Sequence, residues 1–292
     1  MITVIINPFS GVRGRGRTRA ALAARLLEAE GVSADVQVSE YAGHAVELAR
    51  QAAARGARLV CAWGGDGTVN EVARVLAHTD IPLGVIPEGS GNGFARELDL
   101  FHRPARALHV ALRGRDRVID AGEIGGRCFF NLAGVGLDAH IARAFNTRSP
   151  DRRGFWRYIA LGWQQLARYQ PAHYRIDADG ERLDGRALMV VLANLRQYGN
   201  NARIAPHAVA DDGRLDLVVV GPRSPVAAVA LTPRLFTGTV DRVRGVRTRT
   251  IGRVTISSDG PLLCHVDGET FVTGTELVGE VKPNALRVRV PL

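Results

Sequence analysis

Gly64-Gly65-Asp66-Gly67-Thr68-Val69-Asn70-Glu71 is the stretch that decides the fold. An apolar run, 57–63, precedes it and an amphipathic run, 71–77, follows it. The order reads as strand, glycine turn, helix. Such a turn leaves the first N–H groups of the helix unpaired and aimed at the loop, where they attract an anion. Glycines let the backbone approach a phosphate with no Cβ in the way. Asp66 cannot itself bind phosphate, but beside a nucleotide it makes sense as a Mg²⁺ ligand, direct or through water. Thr68 adds a hydroxyl. Taken alone, the stretch also fits an ordinary turn between strand and helix with Asp66 as its cap.

A second loop of the same kind follows. Residues 81–87 form a short apolar strand that runs into Glu88-Gly89-Ser90-Gly91-Asn92-Gly93 and then a helix start at Phe94. Two glycine loops from neighbouring strands face one crevice at the carboxyl ends of an α/β sheet, where ligands of such sheets bind.

Three stretches then stand in a telling order: Asn7-Pro8-Phe9-Ser10-Gly11, the Gly64–Glu71 loop, and Pro87-Glu88-Gly89-Ser90-Gly91-Asn92. With Asp211-Asp212-Gly213-Arg214-Leu215-Asp216-Leu217 and Val266-Asp267-Gly268-Glu269, they resemble the diacylglycerol kinase catalytic domain family. This is the lipid kinase superfamily of bacterial diacylglycerol kinases, sphingosine kinases and ceramide kinases. The resemblance spans nearly the whole chain.

Composition agrees with a folded enzyme. The 292 residues are 46% hydrophobic, enough for one large domain or two ordinary ones. No apolar run reaches the ~20 residues of a membrane span. The N-terminus opens as a strand with no signal pattern, so a cytoplasmic protein is expected, peripheral at the inner membrane face when it meets lipid. Cys61, Cys128 and Cys264 suit buried thiols rather than a disulfide frame or zinc site. The charge is +9, and Lys282 is the only lysine. A basic surface favours a nucleotide, nucleic acid or anionic membrane. No nucleic-acid motif accompanies it, so no nucleic-acid partner is expected.

The first ~120 residues alternate strand and helix: strands at 2–6 and 34–38, helices at 18–29 and 44–55, then the two glycine-loop units. That alternation implies a mostly parallel sheet with helices on both faces. Beyond it, strands are expected at 127–132, 172–177, 188–193, 215–220, 254–257, 262–266 and 286–290, separated by Asp-Gly turns. Helices are expected near 138–145, 155–169 and 226–236. The expected architecture is an α/β nucleotide-binding domain, 1–120, of NAD kinase/diacylglycerol kinase-like fold. A β-rich, sandwich-like lipid-substrate domain, 121–279, follows it. The resemblance implies that the last strand, 280–292, returns to the first domain, with the nucleotide cleft between the two.

The resemblance also assigns roles. It implies ATP and Mg²⁺ as cofactors and a lipid substrate met at a membrane surface. Glu269 is the proton acceptor, with Asp267 assisting or orienting it; read alone, Asp267-Gly268-Glu269 is a hairpin turn with a solvated Glu. A useful base there is partly buried. Asp66 helps organise Mg²⁺. Nucleotide contacts fall on Asn7, Ser39, Gly64, Gly65, Gly67, Thr68, Asn70, Gly89, Ser90, Gly91 and Asn92, although Ser39 equally fits a helix N-cap. A structural Mg²⁺ falls on Asp212 with the carbonyls of Val209 and Arg214, and Asp216 can join it. Arg13, Arg15 and Arg17 form a glycine-flanked basic loop. Phe155, Trp156, Tyr158 and Trp163 mix with basic groups, suiting a membrane interface or, more ordinarily, a core-facing helix.

The pattern has departures. Gly93 stands where many bacterial diacylglycerol kinases have Asp, and Glu88 where a small or apolar residue is usual. These bear on the lipid acceptor more than on the kinase chemistry. The reading is an ATP- and Mg²⁺-dependent kinase acting on a diacylglycerol-like or sphingoid hydroxyl. The rivals are an NAD kinase-like enzyme with a soluble substrate and a non-catalytic lipid or nucleotide sensor. The oligomeric state is open, a homodimer being one option.

Overall fold

The computed structural model describes residues 1–11, 16–89, 91–100, 103–147 and 162–292. The chain divides into two compact units, Met1–Ile119 with Asn284–Leu292, and Asp120–Pro283.

In the first unit the strands β1 (Ile2–Ile6), β2 (Asp35–Val38), β3 (Leu59–Gly64) and β4 (Leu83–Pro87) pair in parallel in the order β2-β1-β3-β4. Every residue of β1, β3 and β4 is buried. Strands covered on both faces read as unbroken apolar runs, which is why these three were plain in the sequence. Leu59, Cys61 and Trp63 point to one face, where α1 (Gly16–Ala29) and α5 (Pro104–Arg113) contribute Ala23, Leu27, Leu108 and Ala111. The opposite face carries α2 (His44–Ala54) and α3 (Asp66–Leu76), which pack on each other and on β1, β3 and β4. A short α4 (Gly93–Glu97) follows the second glycine loop.

The second unit is antiparallel. After β5 (Arg115–Ile124), which crosses into it from the first unit, come β6 (Arg127–Phe129), β7 (Leu132–Gly136) and α6 (Leu137–Asn146). Residues 162–166 form a helical turn, α7. Then come β8 (Ala172–Ala178), β9 (Glu181–Ala187), β10 (Met189–Ala193) and β11 (Leu215–Val220). The helices α8 (Pro225–Val229) and α9 (Thr232–Thr237) and a 3-10 turn, Val240–Arg242, follow. Last are β12 (Val246–Ile251), β13 (Arg253–Ser258), β14 (Leu262–Val266), β15 (Glu269–Thr273) and β16 (Glu276–Val290), whose final residues belong to the first unit.

One sheet of this unit runs β12-β11-β10-β7-β14-β15. Against its inner face lie side chains of β8, β13 and the start of β16, so Val190, Leu217 and Cys264 share a core with Ile176, Ile256 and Leu277. That is a sandwich core. The outer face of the same sheet carries a second core, Val191, Val218 and Val220 under Leu137, Leu166, Ala228 and Leu231. Four short helices thus cover a sheet that is apolar on both sides.

Several elements differ from the sequence expectation. The strand expected over 127–132 is two strands, because the N–H groups of Phe130, Asn131 and Leu132 all turn to the Asp267 carboxylate. The helix expected over 226–236 breaks before Pro233, whose nitrogen has no hydrogen to give to a helical bond. Strands β9, β12 and β15 carry charged and polar residues along exposed edges, so they lack the apolar signature. Of the helix expected over 155–169, residues 155–161 lie outside the described residues, as do Arg13, Arg15 and Ser90; Trp163 is 51% exposed.

Candidate active site

In the first unit, β1, β2, β3 and β4 all end on one edge, and each strand end carries an expected nucleotide contact: Asn7, Ser39, Gly64 and the loop after Pro87. This is the carboxyl edge of the parallel strands, the usual ligand edge of such sheets. The side chain of Asn7 donates through Nδ2 to Thr68 Oγ1 at 2.8 Å and accepts at Oδ1 from the Phe9 N–H at 2.8 Å. Ser39 is buried, and its N–H donates to the Ile6 carbonyl at 2.9 Å. Thr68 and Asn70 are buried on the inner side of α3. The Thr68 hydroxyl therefore ties α3 to β1, while Gly65 and Gly67 form the open side of the turn.

The two glycine loops touch. The Glu88 N–H donates to the Gly64 carbonyl at 2.7 Å. A Cβ on Gly89 would lie 2.8 Å from the Gly65 Cα and 2.7 Å from Asn92 Oδ1, so neither loop can take a larger residue there. Asn92 adopts a left-handed conformation (φ 47°) and clamps its own loop. Its Oδ1 accepts the Gly89 N–H, and its Nδ2 donates to the Gly89 carbonyl, both at 2.7 Å. Asp66 crosses from the first loop to the second, its Oδ1 accepting the Phe94 N–H at 3.2 Å. Burial pushes its carboxyl above the ordinary carboxylate range, and the N–H groups of Phe94, Gly93 and Asn92 hold it back. With Gly93 in place of the usual Asp, Asp66 is the carboxylate at this junction.

Sequence reasoning missed the group that locks the N-terminal loop. Arg19 is 4% exposed. It donates to the Asn7 carbonyl at 3.1 Å, the Ser10 carbonyl at 2.7 Å and Glu88 Oε1 at 3.1 Å. The other Glu88 oxygen accepts the Trp63 indole N–H at 3.2 Å, and Ser10 Oγ accepts the Gly65 N–H at 3.1 Å. The signal was Glu88 itself, an acid at the end of a buried strand. A half-buried carboxylate there favours a paired cation.

In the second unit, Asp267 and Gly268 turn β14 into β15 with positive φ angles of 46° and 90°. The Asp267 carboxylate accepts the N–H groups of Phe130 at 2.8 Å and of Asn131 and Leu132 at 2.9 Å each. It acts as an anchor for the β6–β7 break. Glu269, two residues on, is half-buried at the first position of β15. Asn146, at the end of α6, donates to the Gly268 carbonyl at 2.7 Å.

Along α6 lies a cavity of about 580 Å³, with Leu262, Leu263 and Val272 among its apolar lining and His140, Arg143 and Tyr169 among its polar lining. In the same unit, His265 Nε2 pairs with Asp138 Oδ2 at 3.1 Å, both side chains about 5% exposed or less. Neither residue was singled out in the sequence, since they lie far apart along it.

The loop at 209–216 is separate again. Asp212 Oδ1 accepts the Arg214 N–H at 3.0 Å, and Asp120 Oδ2 accepts the Gly213 N–H at 2.7 Å. Burial and the neighbouring Asp212 charge push Asp216 up to about 6, with His207 opposing them. Among the described residues no three His, Cys, Asp or Glu side chains gather closely enough to hold a metal by themselves. A cation here would therefore depend on backbone carbonyls as well as carboxylates, an oxygen-only set that suits a hard ion. No helix of the described residues is long and apolar enough to cross a membrane.

Comparison with known proteins places these features. Residues 1–124 match the diacylglycerol kinase catalytic domain, and residues 131–290 match the YegS C-terminal NAD kinase beta sandwich-like domain. The chain is 32% identical over 283 residues to a diacylglycerol kinase of Mycobacterium tuberculosis, covering 92% of this chain and 91% of that protein. It is 33% identical over 277 residues to a Pseudomonas fluorescens protein named "Probable lipid kinase YegS-like", covering 94% and 90%. A solved structure of a diacylglycerol kinase from Bacillus anthracis str. Sterne superposes with a TM-score of 0.74 at 18% identity, covering 99% of this chain and 96% of that one. The fold, the paired domains and the full-length relatives agree: the chain belongs to the diacylglycerol kinase catalytic domain family of lipid kinases, with the YegS-type sandwich as its second domain.

Proposed function

We propose that the protein transfers the γ-phosphate of ATP to the hydroxyl of a diacylglycerol-like or sphingoid lipid. The contact between the two glycine loops carries this reading: two turns with bare backbone meet at the carboxyl edge of four parallel strands. Gly67 and Gly91 would present N–H groups to the phosphates, and Gly64, Gly65 and Gly89 would let bare backbone approach them, with Ser90, Asn7 and Ser39 as further contacts. Thr68, Asn70 and Asn92 would act by holding the loops in shape.

Glu269 is the proposed base. As the acceptor oxygen attacks, it forms a bond to the γ-phosphorus, the bond to the β-bridging oxygen breaks, ADP leaves, and the proton passes to the Glu269 carboxylate. Asp267 would orient that turn through its three backbone hydrogen bonds. The cavity supports an acyl-bearing acceptor. His140 and Arg143 line the cavity and Asn146 follows Arg143 by three residues, so about 4.5 Å of helix separates the cavity lining from the residue that holds the Gly268 carbonyl.

Mg²⁺ would neutralise charge on the phosphates and, at a second place, hold the 209–216 loop. Asp66 fits the first role as a half-buried carboxylate at the loop junction. Asp212, with the carbonyls of Val209 and Arg214 and with Asp216 beside it, fits the second.

Phosphate transfer from γ-labelled ATP to diacylglycerol, monoacylglycerol, ceramide and sphingosine in mixed micelles tests the proposal, with NAD as a soluble competitor. Label in one lipid, absent with Glu269→Gln, is the expected result. Label in NAD would move the chain to the soluble-substrate reading. Lipid binding with no label anywhere would make it a sensor.

A further inference from the structure

We propose that the outer surface of α8, α9 and the 3-10 turn docks the protein on an anionic lipid bilayer. Residues 221–251 contain six arginines and a single acid, Asp241. The inward side of this segment is apolar: Ala228, Leu231, Val240 and Val246 enter the core over the outer face of the sheet. The outward side is not simply solvated polar surface. Val226 is 82% exposed, more than any other large apolar residue among the described ones except the C-terminal Leu292, and Phe236 on α9 is 37% exposed.

The same segment carries Arg234, Arg242 and Arg244, all exposed. Among the described residues none of the three forms an ion pair, whereas Arg249 on β12 is neutralised by Glu181. The segment is continuous across this face. Arg223 donates to the Gly221 carbonyl at 3.3 Å and the Arg244 carbonyl at 3.5 Å, and the Gly221 N–H to the Gly245 carbonyl at 2.8 Å. The one acid is withdrawn: the Asp241 side chain is 16% exposed and faces His207 Nε2 at 3.4 Å. The outward charge is therefore positive only.

Arginines around exposed apolar side chains match the layering of an acidic membrane surface. The guanidinium groups reach the phosphates while the apolar tips enter the interface. A nucleic acid would use the charge but make no use of exposed apolar side chains such as Val226. The inference relies on the lipid-kinase reading only for its purpose, since a kinase with a bilayer-resident acceptor must reach the bilayer.

The test is co-sedimentation of the full chain with phosphatidylcholine vesicles, with and without phosphatidylglycerol, in the absence of ATP and acceptor lipid. The wild type is expected to sediment only with the anionic vesicles and to be released by salt. Replacing Arg234, Arg242 and Arg244 together by Gln should weaken that binding by roughly a hundredfold, with the thermal melt unchanged. Val226→Ser with Phe236→Ser should weaken it by about tenfold. Equal binding to neutral vesicles, a triple variant that binds like the wild type, or tighter binding to RNA than to anionic vesicles would overturn the proposal. A protein that sediments as expected yet transfers no phosphate leaves the docking surface standing and removes the kinase reading.

Discussion

Asp267 and Glu269 are two residues apart and should fail in different ways. Asp267 holds three main-chain N–H groups where two strands separate. Hydrogen bonds to a charged group each contribute about 1.5–3 kcal/mol, so Asp267→Ala should destabilise the fold by several kcal/mol. Glu269→Gln should leave the melting temperature within a degree or so of wild type and lower kcat by about 10²–10⁴, the usual worth of general base catalysis. Melts and steady-state kinetics on the two variants separate the roles; a Glu269→Gln protein of undiminished kcat would remove Glu269 as the base. Arg19 offers the complementary case at the nucleotide edge. Arg19→Ala takes this donor from the half-buried Glu88 and from two carbonyls and should cost about 1–3 kcal/mol. Replacing Arg19 and Glu88 together by Met and Leu should recover much of that, measured as the coupling term of a double-mutant cycle.

Strand β7 shows how an element imposes a residue. A Cβ on Gly134 would fall 2.3 Å from Asp138 Oδ2 and 2.9 Å from the Val190 carbonyl. Gly134→Ala must therefore push α6 outward or break the Asp138–His265 pair, and should destabilise by about 1–3 kcal/mol in denaturant titration. Unchanged stability would mean that α6 moves freely, against its packing. This constraint was not legible in the sequence, because Gly134, Asp138 and His265 meet only after β14 pairs beside β7. Strands β1, β3 and β4 were legible, since burial on both faces demands continuous apolar runs. So were both glycine loops, because backbone proximity can be written only with glycine. Strand β12 was not, since at an edge its residues 247–250 are exposed and polar. The Arg19–Glu88 pair joins residues 69 apart, and only Glu88 stood out as an oddity.

At the scale of the whole molecule, a buried thiol in each unit couples stability to alkaline pH. Cys61, in the first unit, is fully buried, and burial pushes its thiol up from 9.0 to about 12. Cys264, in the sandwich core, is raised too, by burial first and then by the Asp138 charge. Unfolding returns both thiols to ordinary values. Below about pH 9 both states keep the proton and the stability is fully present. Above it the unfolded chain releases protons that the folded chain retains, so the unfolded state is favoured by about 1.4 kcal/mol per pH unit for each such thiol. For Cys61 the loss continues until the folded thiol itself ionises near pH 12. Stability should therefore fall steadily above pH 9, and Cys61→Ala should fall less steeply while starting lower at neutral pH. Denaturant titrations of both proteins at a series of alkaline pH values measure the two slopes. Thiol labelling of the native protein should report Cys128, which is only half-buried, and spare Cys61 and Cys264 until the chain unfolds. Equal slopes for wild type and Cys61→Ala, or prompt labelling of Cys61 in the native state, would show that the sheet around β3 opens to solvent far more readily than its complete burial implies.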